Sequence, residues 1–434
     1  MSNNRKDQFR VEGAVAPGFE SVKALYEYNM RTLAERETQL CIYHGEEKVV
    51  DLWASVAGDK SFSPDSLINV FSSGKSLAAI AVASLVDKGL LSYDAKITDY
   101  WPEFSGNNKQ DLTVAELMRH EAGLAAFNVS LDPDDLLSHN IKQNKVGSII
   151  EAHPQSYREG ASRREYHAIT RGWIINEVFR RVDPAGRTIG EYLRQDISGP
   201  LNVDANIGLK EEDLGRVKKV SVLGFGYQLL QSFIPKFLGR RIELNIFQLL
   251  LKIIRLIPAL KDANITGTKP PFVGMKKIEF FNERTVAMGE TPSANANCSA
   301  RGLAKIAAMM SFRGKWEGKE YLSEDAWDAM HANPLKAKMG GLLSTDFTQG
   351  GVDYFTAPTH DSNAIERAFN TGREGFYGWM GLGGSIFQWH PELKIGFGYA
   401  PTSLNVLDLV NERGKAYQAE VVRCVEKINN QSRG

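Results

Sequence analysis

Residues 70–83 read Val70-Phe71-Ser72-Ser73-Gly74-Lys75-Ser76-Leu77-Ala78-Ala79-Ile80-Ala81-Val82-Ala83. The pattern predicts a helix that is apolar almost all the way round, and a helix without a polar face lies inside a protein. Ser72 and Lys75 therefore stand where a buried helix begins. Residues three apart share a helical face, which brings the amine within reach of the hydroxyl. Desolvation removes part of a lysine's preference for the charged form, so Lys75 can accept the Ser72 proton and turn a poor nucleophile into a good one. Ser-x-x-Lys alone is weak, because roughly one or two matches arise by chance in a chain this long, most of them solvated pairs. The context is more telling. Leu85-Val86-Asp87-Lys88-Gly89-Leu90-Leu91 reads as the end of that helix, with Gly89 as its C-cap, followed by an apolar pair.

Outward from this segment, Phe19 to Arg36 reads as a helix. Gln39-Leu40-Cys41-Ile42-Tyr43 and Lys48-Val49-Val50-Asp51-Leu52-Trp53 read as strands joined by His44-Gly45-Glu46-Glu47. Near the other end, Gly384–Trp389 and Lys394–Tyr399 form a second strand pair around the turn His390-Pro391-Glu392-Leu393, and Asn405 to Asn429 is a long helical pattern. Between these ends the material is mostly helical. Thr113 is placed as an N-cap with Glu116 three residues on, and Tyr166 to Arg181 reads as a helix halted by Asp183-Pro184-Ala185-Gly186. Strands and helices at both ends with helices between predict one α/β domain interrupted by a helical one.

The 434 residues suffice for one large two-part domain or two ordinary ones. The formal net charge of zero argues against non-specific nucleic-acid binding. Cys41, Cys298 and Cys424 are odd in number and widely spaced, without metal-ligand spacing, which suggests a reducing compartment and three small buried residues. No apolar h-region follows Met1–Gln8 and no run approaches a membrane span, so the expectation is a cytoplasmic protein without metal or organic cofactor.

One stretch differs in composition. From Val220 to Lys261 the chain is rich in Leu, Ile and Phe, and its charges are Lys236, Arg240, Arg241, Glu243, Lys252, Arg255 and Lys261. In Asn245–Ile257 the polar residues Asn245, Gln248, Lys252 and Arg255 fall on one narrow helical face. At 1.5 Å per residue this helix reaches only ~20 Å, too short to span a bilayer. It could lie on a membrane, cover an active site, bury itself against a second subunit, or be a core helix of the same domain.

With Ser72 and Lys75 in hand, further segments resemble the serine β-lactamase-like family. Glu159-Gly160-Ala161-Ser162-Arg163-Arg164-Glu165-Tyr166-His167-Ala168-Ile169-Thr170-Arg171-Gly172-Trp173 looks like its Tyr-bearing second motif. Ile189–Arg194 running into Ile197-Ser198-Gly199-Pro200-Leu201 is similar to the family downstream of that motif. Tyr377-Gly378-Trp379-Met380-Gly381-Leu382-Gly383-Gly384-Ser385 resembles the strand that carries Lys-Thr-Gly or His-x-Gly. Here it reads Trp-x-Gly, as in the family VIII-type esterase branch related to class C β-lactamases. His120-Glu121-Ala122-Gly123-Leu124, Asn69-Val70-Phe71-Ser72 and Tyr100-Trp101-Pro102-Glu103-Phe104 also look typical. The resemblance runs from about Pro17 to Glu426 and leaves 220–275 unmatched; three motifs in order are far more specific than one.

The resemblance implies an antiparallel sheet flanked by helices, a helical domain beside it, and an active site in the cleft between. On that frame, 1–95 and 276–434 form a discontinuous α/β domain, 96–219 the helical domain, and 220–275 an insertion. It further implies Ser72 as the acyl-forming nucleophile, Lys75 as its proton acceptor and Tyr166 as proton carrier, with either of the last two as acylation base. The backbone N–H groups of Ser72 and Leu382 would hold the oxyanion, and Trp379, Gly381 and His167 would face the substrate.

Two departures bear on specificity. The family's Tyr-x-Asn reads Tyr166-His167-Ala168, and its third-motif cation or imidazole is Trp379, so grips for an acyl amide and a substrate carboxylate are both missing. An uncharged small-molecule ester or amide is favoured, with Trp379 either an apolar wall or a buried strand residue. Read alone, Tyr166 is a core or rim tyrosine, His120 and His167 are structural histidines, and His390 is a solvated turn residue. Glu46-Glu47 and Asp134-Asp135 read as solvated loop charges rather than paired acid catalysts. The leading expectation is a serine hydrolase, an esterase first. Its rivals are a scaffold that uses 220–261 for homo-oligomerisation or peripheral membrane contact, and a true β-lactamase.

Overall fold

The computed structural model describes residues 9–157, 164–251, 269–339, 343–408 and 410–431. Nine strands form one sheet: β1 Val11–Val15, β2 Glu37–His44, β3 Glu47–Ser55, β4 Leu335–Met339, β5 Leu343–Phe347, β6 Asp353–Tyr354, β7 Tyr377–Met380, β8 Ile386–His390 and β9 Ile395–Pro401. Their spatial order is β1-β3-β2-β9-β8-β7-β6-β5-β4, with every neighbour antiparallel. The two ends of the chain meet in its middle, where β2 pairs with β9 and Leu40 lies opposite Tyr399. The segment between β3 and β4 is thus an excursion from one sheet.

Strand side chains alternate between faces. One face sets Leu40, Ile42, Val50, Leu52 and Phe397 against Val22, Tyr26 and Met30 of α1 (Glu20–Thr32) and Tyr417 and Val421 of the C-terminal helix. The other sets Cys41 and Tyr43 against Ala300 and Ala304 of a helix over Ala300–Ser311. With both faces covered, these strands read as apolar runs rather than as clean alternation. Helix α2, Gly74–Asp87, is buried over nearly its whole length and forms the axis of the second core, among Trp101, Leu117, Met118, Trp173 and Ile174. It stops at Gly89, whose φ of +65° suits a residue without a Cβ; Leu90 N–H bonds Leu85 O at 2.9 Å, closing the helix end.

Several boundaries differ from expectation. The helix expected from Tyr166 starts at Thr170 (α3, Thr170–Val182), because the preceding residues spend their hydrogen bonds on tertiary contacts. The helix expected from Asn405 starts at Glu412 (α4, Glu412–Gln431), where Asp408 accepts the Glu412 N–H at 2.9 Å. The chain near 189 is helical over Ile189–Tyr192 and then widens into a π-helical turn over Leu193–Ser198. Thr113 and Glu116 form the expected capping box. His390, expected in solvent, is buried at the end of β8; its Nδ1 accepts Leu393 N–H at 3.2 Å and Phe376 packs edge-on to its ring.

Strands Ala205–Ile207 and Val217–Lys218 join Leu67–Asn69 and Ala296–Cys298 in a small second sheet, so the end of the 96–219 segment pairs with the α/β part. Beyond it, Ser221–Val222 pairs in parallel with Ser403–Leu404, and a helix covers Phe225–Ser232. The amphipathic helix expected over Asn245–Ile257 is present at 246–251; its remainder, and the rest of the stretch to Lys261, lie outside the described residues. So do Glu159–Arg163 of the second motif and Met1–Gln8. Among the described residues no helix is long and apolar enough to cross a membrane, and Cys41, Cys298 and Cys424 are buried and unpaired.

Candidate active site

The turn before α2 is tightly specified. Phe71 has a φ of +46°, in the left-handed region that a bulky residue rarely adopts, and Asn69 Oδ1 holds its N–H at 2.8 Å. The turn leaves Ser72 half-buried and Lys75 only 1% exposed beneath it. Lys75 Nζ lies 3.1 Å from Ser72 Oγ, 2.7 Å from Ala168 O and 2.9 Å from Ser293 O. Both carbonyls can only accept, so two N–H bonds point away from Ser72 and the third tetrahedral position of the amine faces the hydroxyl. Burial first, and then the Arg171 guanidinium, push the Lys75 amine well below the ordinary lysine range. An amine that has given up its third proton would present a lone pair to Ser72.

Tyr166 comes from the loop before α3. Its ring centroid is 4.7 Å from Lys75 Nζ, and its oxygen accepts the Trp379 Nε1–H at 2.8 Å. Burial raises the phenol's pKa, while hydrogen bonds with Ser72 and Trp379 and the nearby Arg171 charge offset part of that rise. The phenol therefore keeps its proton near neutral pH. An indole N–H can only donate, so the Tyr166 hydroxyl accepts from Trp379 and has its own proton for Ser72.

Beneath this series lies a dry layer. His167 is fully buried; its Nδ1 faces Glu165 O at 2.6 Å and its Nε2 accepts Leu124 N–H at 3.0 Å. Both ring nitrogens are thus spent on main chain, which makes His167 a prop for the Tyr166 loop and leaves it nothing to offer a substrate. Burial holds its pKa at about 4. The His167 N–H bonds His120 Nδ1 at 3.0 Å, and the His120 ring packs 4.8 Å from that of Tyr166. Arg164 pairs with Glu121 at 3.0 Å with both side chains buried.

The loop after β7 closes the site from the sheet side. A Cβ on Gly381 would stand 2.1 Å from Val70 O, so only glycine lets this strand end abut the segment entering the Ser72 turn. Ser385 Oγ bonds Val70 O at 2.7 Å and Ser73 Oγ at 3.0 Å, pinning loop to turn. Asn411 Nδ2 reaches Gly381 O at 3.2 Å and Ser385 O at 3.1 Å from the entrance of α4. Leu382, half-buried, follows Gly381 on this loop.

Of the residues singled out in the sequence, Ser72, Lys75, Tyr166 and Trp379 converge, Gly381 and Leu382 flank them, and His167 sits below. Ala168, Ser293, Arg171, Ser73 and Ser385 escaped sequence reasoning. Ala168 and Ser293 act through carbonyls, which carry no side-chain signature. Arg171 lies within the second motif as one of its three arginines, which spacing does not distinguish.

Comparison with known proteins follows the same lines. The Beta-lactamase family model matches residues 23–419. The chain is 26% identical over 393 residues to the esterase/beta-lactamase LipL of Mycobacterium tuberculosis (strain ATCC 25618 / H37Rv), covering 89% of this chain and 82% of that one. Among solved structures, a family VIII carboxylesterase superposes with a TM-score of 0.75 at 24% identity, over 96% of this chain and 100% of the other. A penicillin-binding protein homologue from Caulobacter crescentus gives 0.73 at 24% identity over the same shares. At these identities the two structures speak for the fold.

Proposed function

The chain belongs to the Beta-lactamase family, and from that premise we propose that it is a serine hydrolase acting through an acyl-enzyme on ester bonds, and secondarily on amides. The supporting observation is the buried Lys75 amine, with two carbonyls on its N–H bonds and Ser72 Oγ at its remaining position. Lys75 takes the Ser72 proton as Oγ attacks the acyl carbon. The oxyanion forms against the backbone N–H groups of Ser72 and Leu382, donors each worth about 3–4 kcal/mol in such sites. Tyr166 gives its proton to the departing alkoxide and recovers one through Lys75. Water then attacks the acyl-Ser72 ester by the reverse proton route, releasing acid and free enzyme.

Trp379 stands where a cation would meet a substrate carboxylate, and its indole N–H is committed to Tyr166. That favours an uncharged acyl group, in keeping with the esterase named among the relatives. Three buried, unpaired cysteines favour a cytoplasmic or otherwise reducing setting. Purified protein should hydrolyse a p-nitrophenyl short-chain ester and leave nitrocefin nearly untouched, and Ser72→Ala should remove the esterase activity. Full turnover in Ser72→Ala would overturn the assignment, and rapid nitrocefin turnover would make the protein a β-lactamase.

A second reading concerns where the enzyme works. Phe225, Leu230, Phe233, Phe237, Leu238 and Phe247 are all exposed, Phe237 by 86%. The sequence from Val220 to Lys261 that carries them has six basic residues against one acidic. Two copies of such a face would repel, whereas an anionic lipid surface accepts both its rings and its charge. We propose that occupant. The full chain should sediment with phosphatidylserine-containing vesicles, release at high salt, and lose binding in Phe233→Ser/Phe237→Ser. Failure to sediment, or a concentration-dependent dimer abolished by the same substitutions, would refute it.

A further inference from the structure

Arg171 is wholly buried at the start of α3, and its partners among the described residues include no carboxylate. Nη1 donates to Met118 O at 2.9 Å and Gly351 O at 3.1 Å, and Nη2 to Lys75 O at 3.2 Å. Nη1 also lies 3.3 Å from His120 Nε2. Because His120 Nδ1 accepts the His167 N–H, a neutral His120 carries its proton on Nε2 and offers the guanidinium no lone pair. Arg171 Nε has no hydrogen-bond partner among the described residues. Arg164 and Arg413, also buried, are matched by Glu121 and Glu35. An unmatched buried charge is expensive, so its position calls for an explanation.

What it adjoins is the proposed base. Arg171 and Lys75 are two cationic groups in one dry region, joined through the Lys75 carbonyl. Among the described residues, the other titratable or charged groups facing them are Tyr166, His120 and His167, with Arg164 neutralised by Glu121. No acid among them can balance two positive charges. Guanidinium holds its proton far more strongly than an ammonium, so the single charge settles on arginine. We propose that Arg171 is a positioning residue for the reaction inferred above: its counter-ion-free guanidinium, clamped beneath α2, keeps Lys75 as the neutral amine that receives the Ser72 proton.

The close packing fits this role. A Cβ on Gly172 would lie 2.5 Å from Ser293 N, so glycine after Arg171 lets α3 abut the segment whose carbonyl takes a Lys75 N–H. Burial lowers Arg171 itself to about 10, still charged at neutral pH, while its field adds to burial in lowering Lys75.

The test is the pH profile of covalent labelling of Ser72 by a fluorophosphonate in the full-length protein. In the wild type the rate should reach half its maximum well below the ordinary lysine range. Arg171→Gln keeps amide donors for the carbonyls but removes the charge; its acid limb should move up by about one pH unit, a ~10-fold slower reaction below the limb that recovers in alkali. Arg171→Lys should fall between the two. A loss by the same factor at every pH, as a purely structural clamp would give, overturns the proposal. So does a wild-type limb near the ordinary lysine value, which needs no variant to fold. Absence of wild-type labelling at any pH would instead remove the hydrolase reading on which this one rests.

Discussion

Trp379 donates its indole N–H to the phenolic oxygen of Tyr166 over 2.8 Å, and an indole can only donate, so this bond fills a lone pair of the phenol. With one lone pair of Tyr166 filled, its own proton is directed toward Ser72 or the leaving group. A cation at position 379 would favour the phenolate; a neutral donor leaves the phenol protonated, in agreement with its raised pKa. In the proposed mechanism Tyr166 is thereby the acid and Lys75 the base.

Trp379→Phe keeps the ring that packs 4.9 Å from Phe347 and removes the donor. A neutral hydrogen bond is worth ~1 kcal/mol, so kcat on a p-nitrophenyl ester should fall about 5-fold with KM little changed. Steady-state kinetics on both variants would show this, and an unaltered kcat would mean that the bond carries no catalytic weight.

Tyr166→Phe should discriminate between substrates. An aryl ester leaves as a stable anion and needs little protonation, whereas an alkyl ester needs an acid, a contribution of about 10²–10⁴-fold. The variant should lose much more activity on an ethyl ester than on the p-nitrophenyl ester of the same acid. Equal losses would show that Tyr166 acts before the leaving-group step.

The candidate nucleophile is legible because its helix has no polar face: the run from Leu77 to Ala83 places Ser72 and Lys75 at a buried N-terminus. Tyr166 and Trp379 were reached through motif resemblance, since neither residue announces a role by spacing. The ends of the chain were readable as strands, but their union through β2 and β9 was not, because pairing across 350 residues leaves no local trace. His167 was misplaced toward the substrate for a physical reason. Adjacency to Tyr166 in sequence says nothing about the partners of a side chain in an irregular loop, where both ring nitrogens of His167 meet main-chain groups of Leu124 and Glu165. His390 reads as solvated because it opens a turn, whereas its ring is covered by Phe376 from an earlier segment.

Acid should destabilise the fold through histidines that are neutral inside it. His331 accepts the Trp389 Nε1–H at 3.0 Å, and burial holds its pKa at about 3, against 6.5 when unfolded. Between these values the unfolded chain binds the proton and the native state does not, so the contribution is present above about pH 6.5 and is lost as pH falls. In His331→Gln the dependence of urea-unfolding free energy on pH from 6.5 to 4.5 should be shallower by about 1.4 kcal/mol per unit. An unchanged slope would contradict the buried neutral assignment.

Gly381→Ala places a Cβ 2.1 Å from Val70 O and from Ser385 Oγ. The backbone must shift at the point where the β7–β8 loop meets the Ser72 turn. Thermal stability should fall, and ester turnover should fall further than the unfolded fraction explains. Wild-type activity at a temperature where the variant is folded would mean that the loop does not need this contact.

Ser72 as the acyl acceptor is the claim from which every other assignment follows. It is tested most directly by fluorophosphonate labelling of the wild-type protein followed by peptide mass mapping. The adduct should fall on the peptide containing Ser72 and be absent from Ser72→Ala. Labelling of a different residue, or equal labelling of the Ser72→Ala protein, would contradict it.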